Sequence, residues 1–186
     1  MNKTLITLSG PTASNKTSIA IRIAKVLGIE IFSCDSRQFY EEMTIGTAVP
    51  TADERKEVPH HFIQHKSIHT PYSVGQFESD AIDKLSDYFK HNDIAILVGG
   101  SGLYMHSVVR GIDQFPTVPD EIRLSLGKRL QTNGLEDLQK ELQTLDPKYF
   151  IKMDIKNPSR VLRALGVCLA AGKPVSYTHL TLPTKA

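Results

Sequence analysis

The chain has no tryptophan and only two cysteines in 186 residues. Cys34 and Cys168 cannot build a disulfide framework, and no C-x-x-C pair offers zinc spacing. Both read as reduced thiols of a cytosolic protein. No apolar run approaches membrane-spanning length, so no membrane partner is expected. The N-terminus places one Lys before a strand-length apolar run and lacks the layout of a signal peptide. Charge of one sign is also scarce: the formal net charge is +2, which argues neither for nor against nucleic acid. There is no internal repeat. What remains is a chain with 40% hydrophobic residues, enough for a real core. Its length suits one α/β domain with an appendage.

The charge is unevenly spread. Between Pro147 and Lys173 stand Lys148, Lys152, Lys156, Arg160, Arg163 and Lys173 against Asp154 alone, so the remainder is net acidic. Such a run is ordinarily a solvated helix face, and the sharper reading is contact with a phosphate backbone.

Residues 3–9 are rich in β-formers and read as a strand. In residues 16–27, Ile19, Ala20, Ile23, Ala24 and Leu27 recur at helical spacing. Gly28 is placed to cap that helix. Residues 29–34 and 94–98 read as two further strands, and Val74, Phe77, Ala81, Leu85 and Tyr88 as a helix before the last of them. Alternating strands and helices imply a parallel sheet, with ligands at the carboxyl ends of its strands. Those ends carry residues 10–17, Asp35-Ser36-Arg37-Gln38 and Gly99-Gly100-Ser101-Gly102, which are expected to converge on one crevice. After Gly111 the texture changes. Ile122, Leu126 and Leu130 suggest one helix, and Leu135, Leu138, Leu142 and Leu145 another. Residues 160–171 suggest a helix with Leu162, Leu165 and Leu169 inward, returning to the core. The fold class is α/β, a P-loop NTPase-like parallel sheet flanked by helices with a small helical insertion. The expected divisions are a core at 1–110, an insertion at 111–158, a return helix at 159–174 and a tail at 175–186.

Gly10-Pro11-Thr12-Ala13-Ser14-Asn15-Lys16-Thr17 lies between a strand and a helix, the layout of the phosphate-binding loop G-x-x-x-x-G-K-[ST]. A loop so placed points backbone N–H groups and a helix N-terminus at an anion. Lys16 can reach terminal phosphates, and the Thr17 hydroxyl can ligate Mg²⁺. Asn15 stands where the second glycine belongs, and Asn is the least costly replacement where φ is positive. Asp35 at a strand end is ordinarily a turn cap; beside this loop it can hold Mg²⁺ or accept a proton. His61, His65 and His69 share helical spacing, but Pro59-His60-His61 favours a structural loop over a metal site. Cys34 beside Asp35 reads as a small buried hydrophobe rather than a nucleophile.

Five motifs occur in order: Gly-Pro-Thr-Ala-Ser-x-Lys-Thr at 10–17; Asp-Ser-Arg-Gln-x-Tyr at 35–40 with Ile-Gly-Thr-Ala at 45–48; Pro-His-His at 59–61; Gly-Gly-Ser-Gly-Leu-Tyr at 99–104; and Asn-Pro-x-Arg-Val-x-Arg-Ala-Leu at 157–165. In combination they resemble the bacterial tRNA dimethylallyltransferase family over residues 3 to 174. The resemblance implies transfer of dimethylallyl from its diphosphate to N6 of the adenine beside the anticodon, with Mg²⁺ as cofactor. It implies Lys16 and Thr17 at the leaving diphosphate and Asp35 as general base. It also implies that Asp35, Ser36, Arg37, Gln38, Ser101, Arg123, Ser159, Arg160, Val161, Leu162 and Arg163 contact the tRNA anticodon stem-loop, in a cytoplasmic enzyme that is monomeric at full length. The competing readings are a P-loop small-molecule or nucleotide kinase, an adenylate prenyltransferase and a non-catalytic RNA-binding module.

The chain departs from the family at Asn15, at Ser101 where Thr is usual, and at Gly166 where Glu is expected. Family members also continue well past residue 174. Residues 175–186 resemble nothing in the family and look like the translation of a transposase sequencing adapter. The gene is therefore expected to be truncated, and the chain as written inactive and poorly soluble, with Leu180 and Leu182 lacking a core to enter.

Overall fold

Four parallel strands, β1 (Thr4–Ser9), β2 (Ile31–Ser33), β3 (His60–His61) and β4 (Ile94–Gly99), form a sheet in the order β1-β4-β2-β3. The computed structural model describes residues 2–11, 14–112 and 115–178, the side chains of Tyr177 and Thr178 excepted. Thr12 and Ala13 of the loop motif, and 179–186 of the expected tail with Leu180 and Leu182, lie outside the described residues. The chain divides into two compact units, Met1–Ile112 and Asp113–Ala186.

In the first unit the inner strands β2 and β4 are buried on both faces, as in a parallel sheet covered by helices, while β1 at the edge is partly exposed. Phe32, Cys34, Ala95 and Leu97 point to one face, against Phe77, Ala81 and Leu85 of α3 (Val74–Tyr88) and Val108 of α4 (Gly102–Arg110). Their alternates Ile31, Ile96 and Val98 point to the other, against Ala20, Ile21 and Ala24 of α1 (Lys16–Leu27). The period of two along each strand thus assigns neighbours to opposite layers. α3 starts at a capping box in which Ser73 and Gln76 satisfy each other's backbone N–H groups.

The start of β2 and the inward face of α1 differ from the sequence reading. β2 begins at Ile31 rather than at residue 29, because the Ile29 N–H is spent on the Ala24 carbonyl at the C-terminus of α1. There Gly28 is left-handed at φ 63°, a conformation open to glycine at little cost. The inward face of α1 is Ala20, Ile21 and Ala24, whereas Ile19 and Leu27 are 41% and 43% exposed. The short helix α2 (Ala52–Glu57) and strand β3 also lie between β2 and α3. α2 carries its own capping box, Thr51 with Glu54.

The elements described in the second unit are all helices: α5 (Asp120–Asn133), α6 (Leu135–Leu145), α7 (Pro147–Lys152), α8 (Pro158–Ala171) and α9 (Val175–Thr178). The helix expected to return to the core, α8, packs against α5 and α6 of this unit. Its Val161, Ala164, Leu165 and Cys168 share a core with Leu126 of α5 and with Leu138 and Leu142 of α6. Leu169, expected inward, is 40% exposed. Arg129 ties α5 to α6 through Asp137 at 2.7 Å and Glu141 at 2.6 Å. A Cβ on Gly166 would come within 3.2 Å of Val118 Cγ1, so the missing side chain allows close packing there.

Residues 175–178 form a helical turn although no helical pattern marks them, and Val175 is buried. Asp146 holds that turn to α7. Its carboxylate is 1% exposed and accepts from the Ser176 N–H, the Ser176 hydroxyl and the Tyr149 N–H. Burial alone pushes the Asp146 carboxyl up, but these donors outweigh it and hold the group below the usual carboxylate range. A depressed carboxyl stabilises the fold above its unfolded pKa, and the contribution is lost as pH falls through the folded value. Asp146→Ala is expected to cost about 2 kcal/mol near neutrality by stranding these donors. Urea melts at pH 7 and pH 3 check this: the gap between variant and parent should narrow in acid.

Candidate active site

The β1-β4-β2 order places three strand ends side by side. β1 runs into Gly10–Pro11, β4 into Gly99–Gly100, and β2 into Cys34–Asp35. Their approach is tight. A Cβ on Gly99 would lie 2.5 Å from Cys34 Sγ and 2.8 Å from its carbonyl carbon, so only glycine fits. At Gly100 the same position is 3.5 Å from both Asp35 Oδ2 and the Gly10 carbonyl oxygen. Ser101, at the N-terminus of α4, accepts from the Ser36 N–H at 3.1 Å and its hydroxyl meets the Ser36 hydroxyl at 3.1 Å. The three clusters expected to converge therefore do so.

Asn15 is left-handed, φ 59° and ψ 23°, at the N-cap of α1, with no side-chain cap bond. It supplies the backbone shape that glycine gives this loop, and this explains why Asn is accepted there. Lys16 folds back over the loop and donates to the Pro11 carbonyl and, at 3.2 Å, to Ser14 Oγ. Its ammonium is thereby poised above the loop. Asp35 Oδ1 accepts from the Arg37 N–H at 3.0 Å, fixing the carboxylate in an Asx turn. Oδ2 has no hydrogen-bond partner among the described residues.

A cavity of about 450 Å³ is lined by Lys16, Thr17, Ser33, Asp35 and Gln38, with Ala20, Ile31 and Val98 as part of an apolar wall. It joins the loop at the N-terminus of α1, a carboxylate and apolar surface in one space. Ser33 donates to Gln38 Oε1, and Gln38 Nε2 donates to the Thr47 and Ala48 carbonyls at 3.2 and 2.8 Å. The Gln38 amide thus pins the 47–50 segment against the cavity, with Ala48 at φ 50°. That segment, Glu54 and His60 also line the cavity, a role the sequence reading did not give them. Thr47 and Ala48 were within reach through the Ile-Gly-Thr-Ala motif, whereas Glu54 and His60 enter only through α2 and β3.

Cys34 is fully buried, and burial first, then the neighbouring Asp35 charge, pushes its thiol up to about 12. It is a packing residue at the strand end. The histidines occupy separate environments. His60 Nδ1 meets the Val58 carbonyl, so it carries the proton, and His61 Nε2 pairs with Glu30. His65 sits edge-on among Phe39, Phe62 and Tyr72.

The remaining candidates belong to the second unit. Arg123 is on the first turn of α5, 3.6 Å from Asp120. Ser159, Arg160 and Arg163 are exposed on α8, which is capped by Asn157 and starts at Pro158. Val161 is fully buried in the helical core and Leu162 packs against it, so these two side chains serve the fold.

A family model described as IPP transferase matches residues 38–185. The chain is 51% identical over 176 residues to a tRNA dimethylallyltransferase of Christiangramia forsetii, covering 95% of this chain and 58% of that protein. It is 33% identical to a full-length tRNA isopentenylpyrophosphate transferase of Bacillus halodurans, with a TM-score of 0.58 over 94% of this chain and 57% of the other. A eukaryotic dimethylallyltransferase solved acting on tRNA superposes with a TM-score of 0.81 at 24% identity, over 97% of this chain and 45% of the other, which shows a shared fold. The chain thus spans a little over half the length of the relative and of the full-length structure it matches.

Proposed function

The chain belongs to the IPP transferase family, and on that premise we propose that its parent protein transfers dimethylallyl from dimethylallyl diphosphate to tRNA, at N6 of the adenine 3′ to the anticodon. The observation that carries the reading is the meeting of Lys16, Thr17 and Asp35 on one cavity with an apolar wall. Transfer breaks the bond between the allylic carbon and the diphosphate oxygen and forms a bond from that carbon to N6. The electron pair leaves with the diphosphate, and N6 loses a proton.

Each requirement has a residue. The growing charge on the diphosphate needs preorganised donors, which the N-terminus of α1 and Lys16 supply. The exocyclic amine is a weak nucleophile because its lone pair is delocalised into the ring. Asp35 Oδ2, held in place through Oδ1, is the acceptor for its proton. The apolar wall suits the dimethylallyl group and excludes water from it. The oxygen donors of Thr17, Ser33 and Asp35 fit a hard cation, and Mg²⁺ held by Thr17 would neutralise charge on the leaving diphosphate. The adenine must leave its stack to be reached. Ser36, Arg37 and Ser101 at the strand ends, and Arg123, Ser159, Arg160 and Arg163 in the helical unit, are the side chains assigned to tRNA. The enzyme is read as cytoplasmic and as a monomer at full length.

The test offers labelled dimethylallyl diphosphate, with tRNA, AMP or ATP, to a version of the chain extended through the full family length. Label is expected in tRNA alone. Label in AMP or ATP would make the protein an adenylate prenyltransferase, and phosphoryl transfer from ATP without prenylation would make it a kinase.

A further inference from the structure

Ile45 is 95% exposed, more than any other large apolar side chain among the described residues. Isolated exposed apolar residues are common on protein surfaces and most carry no function. Ile45 differs in how it is supported. The Glu41 N–H donates to the Lys66 carbonyl at 2.9 Å, and the Glu42 carboxylate accepts from the Ser67 hydroxyl at 2.6 Å and the Ile68 N–H at 3.0 Å. Beyond the tip, the Thr47 hydroxyl donates back to the Met43 carbonyl at 2.7 Å, and the Gln38 amide holds the Thr47 and Ala48 carbonyls. Gly46 turns the chain with φ 76°. The tip is braced on both sides, so an aliphatic side chain is presented to water at a fixed place.

That place is next to the cavity. Thr47 and Ala48 line the cavity and Ile45 does not, so Ile45 is no part of the wall assigned to the dimethylallyl group. Two residues of chain span at most about 7 Å, which bounds the distance from the Ile45 Cα to that of Thr47. The loop also starts from the strand end that carries Asp35, Ser36 and Arg37. Chemistry at N6 requires the adenine outside its stack. The gap it leaves is bounded by the apolar faces of the neighbouring bases, and proteins that unstack bases fill such gaps with Ile, Leu, Met or Phe. A fixed aliphatic side chain beside the opening meets this requirement, and the hydroxyl of Ser36 and the guanidinium of Arg37 do not.

We propose that Ile45 is a positioning residue for the transfer: it wedges into the anticodon loop where the target adenine has left the stack, and so holds the adenine out for Asp35. The inference rests on the reading of tRNA as substrate. It gives the Ile-Gly-Thr-Ala motif a part in extruding the base, separate from the phosphate contacts assigned elsewhere.

The test uses the version extended to full family length and an anticodon stem-loop with 2-aminopurine at the target position. That base lacks the amine at C6, so it is bound without reacting, and its fluorescence rises on leaving the stack. Ile45→Ala is expected to lose most of the rise. On the adenine stem-loop its kcat/KM should fall by roughly 10–100-fold, the worth of one buried isoleucine side chain. Ile45→Leu should restore both. Affinity for dimethylallyl diphosphate should stay parental in both variants, since Ile45 is outside the cavity lining. A stem-loop with an abasic nucleotide 3′ to the target has an adenine that is cheaper to unstack, so it should lose less from Ile45→Ala than the intact stem-loop does. A parental fluorescence rise and parental transfer in Ile45→Ala, with the parent active on tRNA, overturn the wedge and leave the tRNA reading standing. Equal losses on the abasic and intact stem-loops, or a loss of diphosphate affinity, would make Ile45 a support of its own loop and overturn the wedge as well. No labelled tRNA from the parent overturns both readings.

Discussion

Asp35→Asn, in a chain extended to full family length, is expected to lose prenyl transfer by roughly 10²–10⁴-fold, the range that a positioned general base contributes. Dimethylallyl diphosphate affinity should stay within about two-fold, since uniform binding is untouched when only proton transfer is removed. The geometry makes the substitution clean. Asp35 Oδ1 accepts from the Arg37 N–H, and the Asn carbonyl can keep that bond. What changes is the second oxygen, beside Gly100, which becomes an amide nitrogen with no capacity to take a proton. Single-turnover transfer to tRNA, with calorimetry of the diphosphate in parallel, reads the two effects separately. Transfer near the parental rate would remove Asp35 from the proton path.

The crevice was legible in the sequence because its parts are backbone features with local signatures. A strand, a loop with Lys-Thr and a helical period predict where phosphate-binding N–H groups point, whatever the rest of the chain does. The Gly-Gly after β4 and the Asp after β2 follow from the same rule about strand ends, and the contacts of Gly99 and Gly100 bear it out. What the sequence could not assign is which face of a helix turns inward when several are apolar. α1 carries Ile19, Ile21, Ile23, Val26 and Leu27, and the sheet takes Ile21 while Val26 is 84% exposed. In α8 the smaller Val161 and Ala164 are chosen over Leu169, because close packing on α5 and α6 favours them. β3 escaped notice for another reason. Two residues have no period, and His60–His61 take their place in the sheet by backbone pairing with Ile31 and Phe32.

Removing the Lys16 ammonium is expected to weaken dimethylallyl diphosphate binding by about 10–100-fold, the span of a lost charge-assisted hydrogen bond of about 1.5–3 kcal/mol. Lys16 now donates to the Pro11 carbonyl and Ser14 Oγ, two neutral acceptors in its own loop. A diphosphate offers oxygens of far higher charge, so the side chain exchanges weak partners for strong ones on binding. Lys16→Ala cancels that exchange without disturbing the fold, since the side chain is at the loop surface and α1 keeps Ala20, Ile21 and Ala24 in the core. Thr17→Ala is expected to weaken binding as well, through the cation rather than through direct charge. The two routes separate in a cycle with EDTA. Chelation should weaken the parent and Lys16→Ala alike, yet add little to Thr17→Ala, because that variant has already lost the hydroxyl proposed to hold the metal. Thr17→Ser should restore both the affinity and the sensitivity to EDTA. Calorimetry with dimethylallyl diphosphate gives all of these values. Unchanged affinity in both alanine variants would take the loop out of the mechanism, and equal EDTA losses in parent and Thr17→Ala would move the metal to other oxygens of the cavity.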